Sequence, residues 1–251
     1  LFWPNLWSTL FVGMPELPDI LVYLDALRPR VVGQPLQRVR LASPFLLRSV
    51  DPPVTAAVGR VVREVRRLGK RIVFSLDGDL FLVFHLMIAG RFRWLSRGRR
   101  PPTKITLAAF DFPTGTLFLT EASPKKRASL YLVSGRAALA AHDAGGLEVL
   151  DADFGAFRAA LLREQHTLKR ALTDPRLFSG IGNAYSDEIL HSARLSPVKL
   201  TGRLAEEEVA RLFDATRRTL RHWIAVLHEQ FGDRFPEAAE ITAFRPDFAV
   251  H

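Results

Sequence analysis

The spacing of apolar residues changes character near the middle of the chain. Between about Val61 and Ala122 they fall in short apolar runs bounded by turn residues, the pattern of extended strands. Ile72–Leu76 and Leu80–Leu86 flank Asp77-Gly78-Asp79, a pairing that predicts a tight hairpin. Ile105–Phe110 and Thr116–Thr120 flank Pro113-Thr114-Gly115 and predict a second one. Several of these strands are apolar on both faces, as in the core of a sandwich. Ahead of them, Ile20–Leu27 predicts a short helix closed by Pro29.

Gly135–Leu150 is rich in Ala and Gly, has no sustained period, and predicts a linker. Beyond it the period becomes helical. Phe154, Phe157, Leu161 and Leu162 share one face, with Asp151 or Asp153 as the N-cap. A long helix runs from about Leu204 to Gln230. Leu204, Leu212, Phe213, Leu220, Trp223 and Leu227 form its stripe, Glu206–Glu208 its first turn, and Gly232 its end. The expected fold class is α+β. An N-terminal β-sandwich domain with flanking helices (14–134) is joined by a linker (135–150) to a helical domain (151–251).

Composition narrows the partners. The 251 residues suffice for one large domain or two smaller ones, and 48% hydrophobic content supports a substantial core. No segment is as long and apolar as a membrane helix requires. A formal net charge of +9 suits a polyanion, nucleic acid before an anionic membrane surface. Arg-rich coding would produce the same charge without any such partner. With no cysteine, disulfides and thiolate zinc sites are excluded within this sequence, and a reducing cytoplasm fits.

Two motifs carry candidate chemistry. Leu168–Leu172 predicts a short helix, Pro175 a break, and Asn183–Ala193 the next helix, with Ser179-Gly180-Ile181-Gly182-Asn183 between. The glycines permit a sharp turn, and the helix N-terminus beginning at Asn183 gathers N–H groups suited to a phosphate, with Lys169 adding a cation. A plain helix–helix corner would read the same way. The second motif is Met14-Pro15-Glu16-Leu17-Pro18-Asp19. If translation begins at Met14 and that methionine is removed, Pro15 carries a free secondary amine beside the Glu16 carboxyl. Inside a longer chain the same nitrogen is an amide and no nucleophile. The thirteen residues before Met14 contain no charge and lack the pattern of a secretory signal. Two readings stay open: a misassigned start or expression remnant, or a genuine apolar extension that would block the amine.

Taken together these residues resemble the formamidopyrimidine-DNA glycosylase / endonuclease VIII family of base-excision repair enzymes. The matching pieces are PELPD at 15–19, RRLGKRIVF at 66–74, HLMIAGR at 85–91, the proline-basic turn at 124–127, and LKRALTDPRLFSGIGNAYSDEIL at 168–190, which is similar to the family's helix–two-turns–helix motif. They occur in the family's order across nearly all of the chain from Met14 onward.

The resemblance implies a bifunctional DNA glycosylase and AP lyase acting on oxidised bases through an iminium on an N-terminal proline, with β- and δ-elimination. Pro15 would be the nucleophile, Glu16 the general acid/base, and Asp19 a supporting carboxylate. An α-amine titrates near 8 and a lysine near 10.4, so the terminal amine is neutral roughly a hundredfold more often. Lys70 would act beside the lesion phosphate, and His85, Lys169, Gly182 and Asn183 would grip the same strand. Relatives fill the gap left by the extruded nucleotide from two loops. In the first, His-Leu-Gly-Met-Ser-Gly is here His85-Leu86-Met87-Ile88-Ala89-Gly90, which gives Ile88 the wedge position. In the second, Asp-Pro-Arg-Arg-Phe-Gly is here Ser123-Pro124-Lys125-Lys126-Arg127-Ala128, so Arg127 replaces an aromatic.

Relatives also enter a four-cysteine zinc finger near Phe244–His251, and none is present here. A truncated gene model, or a relative that uses another element, accounts for this. No metal and no cofactor is expected, with zinc only if that finger is missing from the sequence. The expected partner is double-stranded DNA with damaged bases or abasic sites, bound by a monomer in the cytoplasm at the nucleoid, without a membrane. The alternative is a catalytically inactive DNA-binding protein on the same scaffold.

Overall fold

A computed structural model describes residues 13–99, 104–242, 245 and 247–250. The apolar segment 1–12 and Phe244 lie outside them. Two antiparallel four-stranded sheets face each other. One has the order β1 (Arg38–Leu41), β6 (Thr106–Phe112), β7 (Gly115–Glu121), β5 (Gly90–Leu95). The other has β2 (Val62–Leu68), β3 (Arg71–Leu76), β4 (Leu80–His85), β8 (Ser129–Ser134). Both hairpins form where the turn chemistry predicts them, with Leu76 opposite Leu80 and Phe112 opposite Gly115. Phe84 of one sheet meets Phe92 and Phe110 of the other edge to face, with centroids 5.2 Å apart in each pair. Burying each such ring stabilises the sandwich by roughly 1.5–3 kcal/mol.

Strand register fixes which loops share an end. Leu68 pairs with Arg71, Arg71 with His85, and His85 with Ser129. On the facing sheet Gly90 pairs with Glu121, and Leu41 with Ala108. Because 86–89 links β4 to β5, the Lys70 turn, the 86–89 loop, the 122–128 loop and the exit of β1 all gather at one end of the sandwich.

The C-terminal half is helical. The helices are α3 (Phe154–Leu162), α4 (Leu168–Thr173), α5 (Asn183–Ala193) and α6 (Glu206–Phe231). Of the two candidate caps, Asp153 is the N-cap, accepting from the Ala156 N–H at 2.7 Å. Within the expected stripe of α6, Leu212, Phe213, Leu220, Trp223 and Leu227 are buried, while Leu204 precedes the helix. Leu162, expected on the inner face of α3, is exposed. The stretch read as linker contains a short helix, α2 (Arg136–Ala140). The N-terminal helix is longer than Pro29 suggested. As α1 it spans Leu17–Val31, and Pro29 falls in its last turn, where one missing N–H does not end it. Leu17 packs in the helical core and Ile20 to Val31 in the sandwich core, while Leu227 and Phe231 of α6 also enter the sandwich core. α1 and α6 thus tie the two halves together. Among the described residues no helix is long and apolar enough to cross a membrane.

Candidate active site

Glu16 caps α1, and its backbone N–H donates to the Asp19 carboxylate at 3.0 Å. Its own carboxyl reaches across to the start of α5. There it accepts from the backbone N–H groups of Gly182 at 2.6 Å, Ala184 at 3.0 Å and Tyr185 at 3.3 Å. The unpaired amides of a helix N-terminus attract an anion, and in this fold a side chain of the same protein occupies them. The expectation of an open phosphate site on those N–H groups is corrected accordingly; the exposed Asn183 remains at its rim. Gly182 is required at this contact, since a Cβ there would lie 2.5 Å from the Glu16 carboxyl carbon.

Lys70 stands in the β2–β3 turn, and its ammonium donates to the Ile181 carbonyl at 3.1 Å. Burial lowers its pKa, against the upward pull of Glu16. Burial likewise pushes the Glu16 carboxyl up to about 7, against Lys70 and the helix N–H groups. A carboxyl of this kind exchanges a proton at neutral pH, as a general acid/base must.

A cavity of about 420 Å³ opens over these groups, lined by Met14, Glu16, Lys70, Ile88 and Asn183 among others. A second, of about 250 Å³, adjoins Met14, Lys70, His85 and Gly180. Met14 lines both, and Pro15 beneath it is buried. The Gly13 carbonyl accepts from Arg91 at 3.0 Å. His85 has its pKa lowered to about 4 by burial, then by Arg71 and Lys70, which favours the neutral ring at pH 7.

The remaining candidates lie around this centre. Ile88 is 46% exposed on the 86–89 loop. Lys125 and Arg127 are exposed on the next loop, while the Lys126 ammonium is bonded to the Glu121 carbonyl. Lys169 on α4 donates to the Asn183 carbonyl at 2.8 Å and pairs with Asp187, so it braces the α5 start from behind.

Three supports were not legible in the motifs. The buried Glu121 accepts from the N–H groups of Arg127 at 2.9 Å and Ala128 at 3.0 Å, which roots the basic loop. Arg67 donates to Ser179 at 3.0 Å and pairs with Glu148, joining the Lys70 turn to the glycine turn. Arg245 pairs with Asp19 at 2.7 Å, both buried. Arg245→Met is expected to destabilise the protein by about 3–5 kcal/mol, because it leaves Asp19 buried without its cation. An unchanged urea midpoint would show that the pair carries no such role.

The comparisons with known proteins match both halves of the chain. Residues 14–130 match the family described as formamidopyrimidine-DNA glycosylase N-terminal domain, and residues 146–233 match its H2TH domain. The formamidopyrimidine-DNA glycosylase of Heliobacterium modesticaldum is 34% identical over 228 residues, covering 88% of this chain and 82% of that protein. The crystal structure of the Thermus thermophilus MutM (Fpg) protein superposes with a TM-score of 0.72 at 35% identity, covering 84% of this chain and 76% of the other. The Lactococcus lactis protein in complex with a FAPY-dG containing DNA gives 0.76 at 26% identity, covering 84% and 80%. With both domains matched and identities above 30% over most of its length, the chain belongs to the formamidopyrimidine-DNA glycosylase family.

Proposed function

We propose that this protein is a DNA glycosylase of base-excision repair that also acts as an AP lyase. The observation that carries the reading is the buried Glu16 carboxyl, with a pKa near 7, adjoining Pro15 and Lys70 at the floor of a cavity shared by both halves. In the proposed reaction the free Pro15 amine attacks C1′ of the damaged nucleoside and the C1′–N bond to the base breaks. Glu16 supplies a proton as the sugar ring opens. Loss of a proton from C2′ converts the resulting iminium to an enamine, which expels the 3′ phosphate as the C3′–O bond breaks. Loss of a proton from C4′ then lets the C5′–O bond break and the 5′ phosphate leave, and water hydrolyses the remaining iminium to free Pro15.

Lys70 and the neutral His85 would contact phosphates beside the lesion, with Asn183 completing the grip and Lys169 holding the α5 start in place. Ile88 would enter the stack left by the extruded nucleotide, and Arg127 would lie against the opposite base through its planar guanidinium. Oxidised purines are the favoured substrates, as the FAPY-dG complex of the Lactococcus lactis relative supports. The test is strand cleavage by a form of the protein beginning at Pro15, on duplexes carrying single 8-oxoguanine, formamidopyrimidine or oxidised pyrimidine lesions. Cleavage leaving phosphate on both new ends is expected; an intact strand with every lesion overturns the reading.

A second reading has its own support. In the chain as written Pro15 is amide-bonded to Met14, and Met14 lines the cavity. A protein retaining that bond would bind damaged DNA without cutting it.

A further inference from the structure

Among the described residues, one large apolar side chain stands exposed at the end of the sandwich that bears the site, outside every motif above: Phe45, with 71% of its surface open to solvent. Isolated exposed apolar residues are common on soluble proteins. Phe45 is distinguished by how firmly its root is held and by where. After β1 the chain crosses from one sheet to the other. The N–H groups of Ala42 and Ser43 donate to the Leu107 carbonyl at 2.8 and 3.1 Å. Leu46 is buried, and its carbonyl accepts from Leu130 at 2.9 Å. Arg48 N–H donates to the Leu130 carbonyl at 2.8 Å, and the Ser49 hydroxyl accepts from Leu132 N–H at 2.9 Å. Leu47 and Leu130 bridge in parallel, so the segment runs beside β8 in the same direction.

That direction places Phe45 beyond Ser129, next to the basic 122–128 loop. Across the end of this sheet the order is therefore Lys70, His85, Arg127, Phe45. Neighbouring strands lie about 4.8 Å apart, so the three steps from β3 to the Phe45 segment cover ~14 Å. At ~3.4 Å per base pair, that is about four base pairs of duplex. Arg48 on the same segment and Lys125 and Arg127 beside it are exposed cations. An aromatic ring among exposed cations suits nucleic acid, which offers phosphates for the charges and apolar sugar and base surface for the ring.

We propose that Phe45 is a DNA contact of its own, packing against the duplex flank about four base pairs from the nucleotide gripped at Lys70. The proposal rests on the DNA reading above and extends its footprint. The test is fluorescence anisotropy with the full chain and a duplex carrying a tetrahydrofuran abasic analogue with eight base pairs on each side. Phe45→Ala is expected to weaken binding about fivefold or more, the scale of one lost aromatic contact, and Phe45→Trp to restore it. Trimming one flank to three base pairs should weaken the wild type and abolish the difference between wild type and Phe45→Ala. Equal binding of the long duplex by wild type and Phe45→Ala, or a difference that survives trimming of either flank, overturns the Phe45 contact while leaving the glycosylase reading intact. A wild type that ignores the lesion duplex overturns the glycosylase reading itself. The ring is mostly exposed, so Phe45→Ala should keep the wild-type melting temperature.

Discussion

Glu16→Gln lowers base excision by at least about a hundredfold, the range over which a positioned acid/base acts, while binding of lesion duplex stays within a few fold. The amide keeps the size of the side chain and cannot exchange a proton. Its one remaining oxygen can still accept from Gly182 and Tyr185 or from Ala184, while its NH2 faces the N–H at the other position. Glu16 is buried beneath the cavity, so DNA grip from the exposed rim is little affected.

The same substitution has a signature in stability. The folded-state pKa of Glu16 is raised from 4.5 to about 7. Its contribution is therefore intact below about 4.5 and lost as pH rises through about 7. Over that window the wild type should lose on the order of 3 kcal/mol relative to Glu16→Gln. Urea midpoints at pH 5 and pH 8 read the difference. Parallel pH dependence in the two proteins would show that the carboxyl does not titrate there.

Gly182→Ala is expected to be nearly as damaging, through sterics alone. The backbone at Gly182 has φ −132°, which alanine adopts freely. The added methyl, however, would sit 2.5 Å from the Glu16 carboxyl carbon and Oε1 and 2.9 Å from Cγ. Three N–H groups hold that carboxylate, so it cannot retreat without losing them. A displacement of about 1 Å at a reacting group costs around a hundredfold in rate, and the overpacking should cost about 1–3 kcal/mol. Gly202→Ala is the control, because nothing lies within 4 Å of its Cβ position. Wild-type excision by Gly182→Ala would remove the Glu16–α5 contact from the mechanism.

Local chemistry carried much of the architecture. The Asp77-Gly78-Asp79 turn and the stripe on α6 each act over a few residues, and both are legible as period and turn type. The coupling of the two motifs is not. Glu16 and Gly182 are 166 residues apart, and nothing in the Gly-Ile-Gly-Asn turn indicates that its N–H groups are already occupied. The glycine at 182 is there for the carboxyl, where the turn alone suggested a phosphate. Lys169 reads from sequence as a free cation, yet Asp187 one turn into α5 meets it. Pro29 reads as a helix end, but packing of Leu27 and Val31 into the sandwich core carries α1 past it. Glu121 and Arg245 act only through groups that the fold brings to them.

The central claim is that a free Pro15 amine forms the covalent link to deoxyribose. Borohydride reduction during reaction with an abasic duplex, followed by peptide mapping, tests it directly. A protein beginning at Pro15 should yield one adduct, on the peptide that starts at Pro15, and the chain that retains Met14 should yield none. An adduct on a lysine, equal trapping by both forms, or no adduct from the Pro15 form would contradict the account.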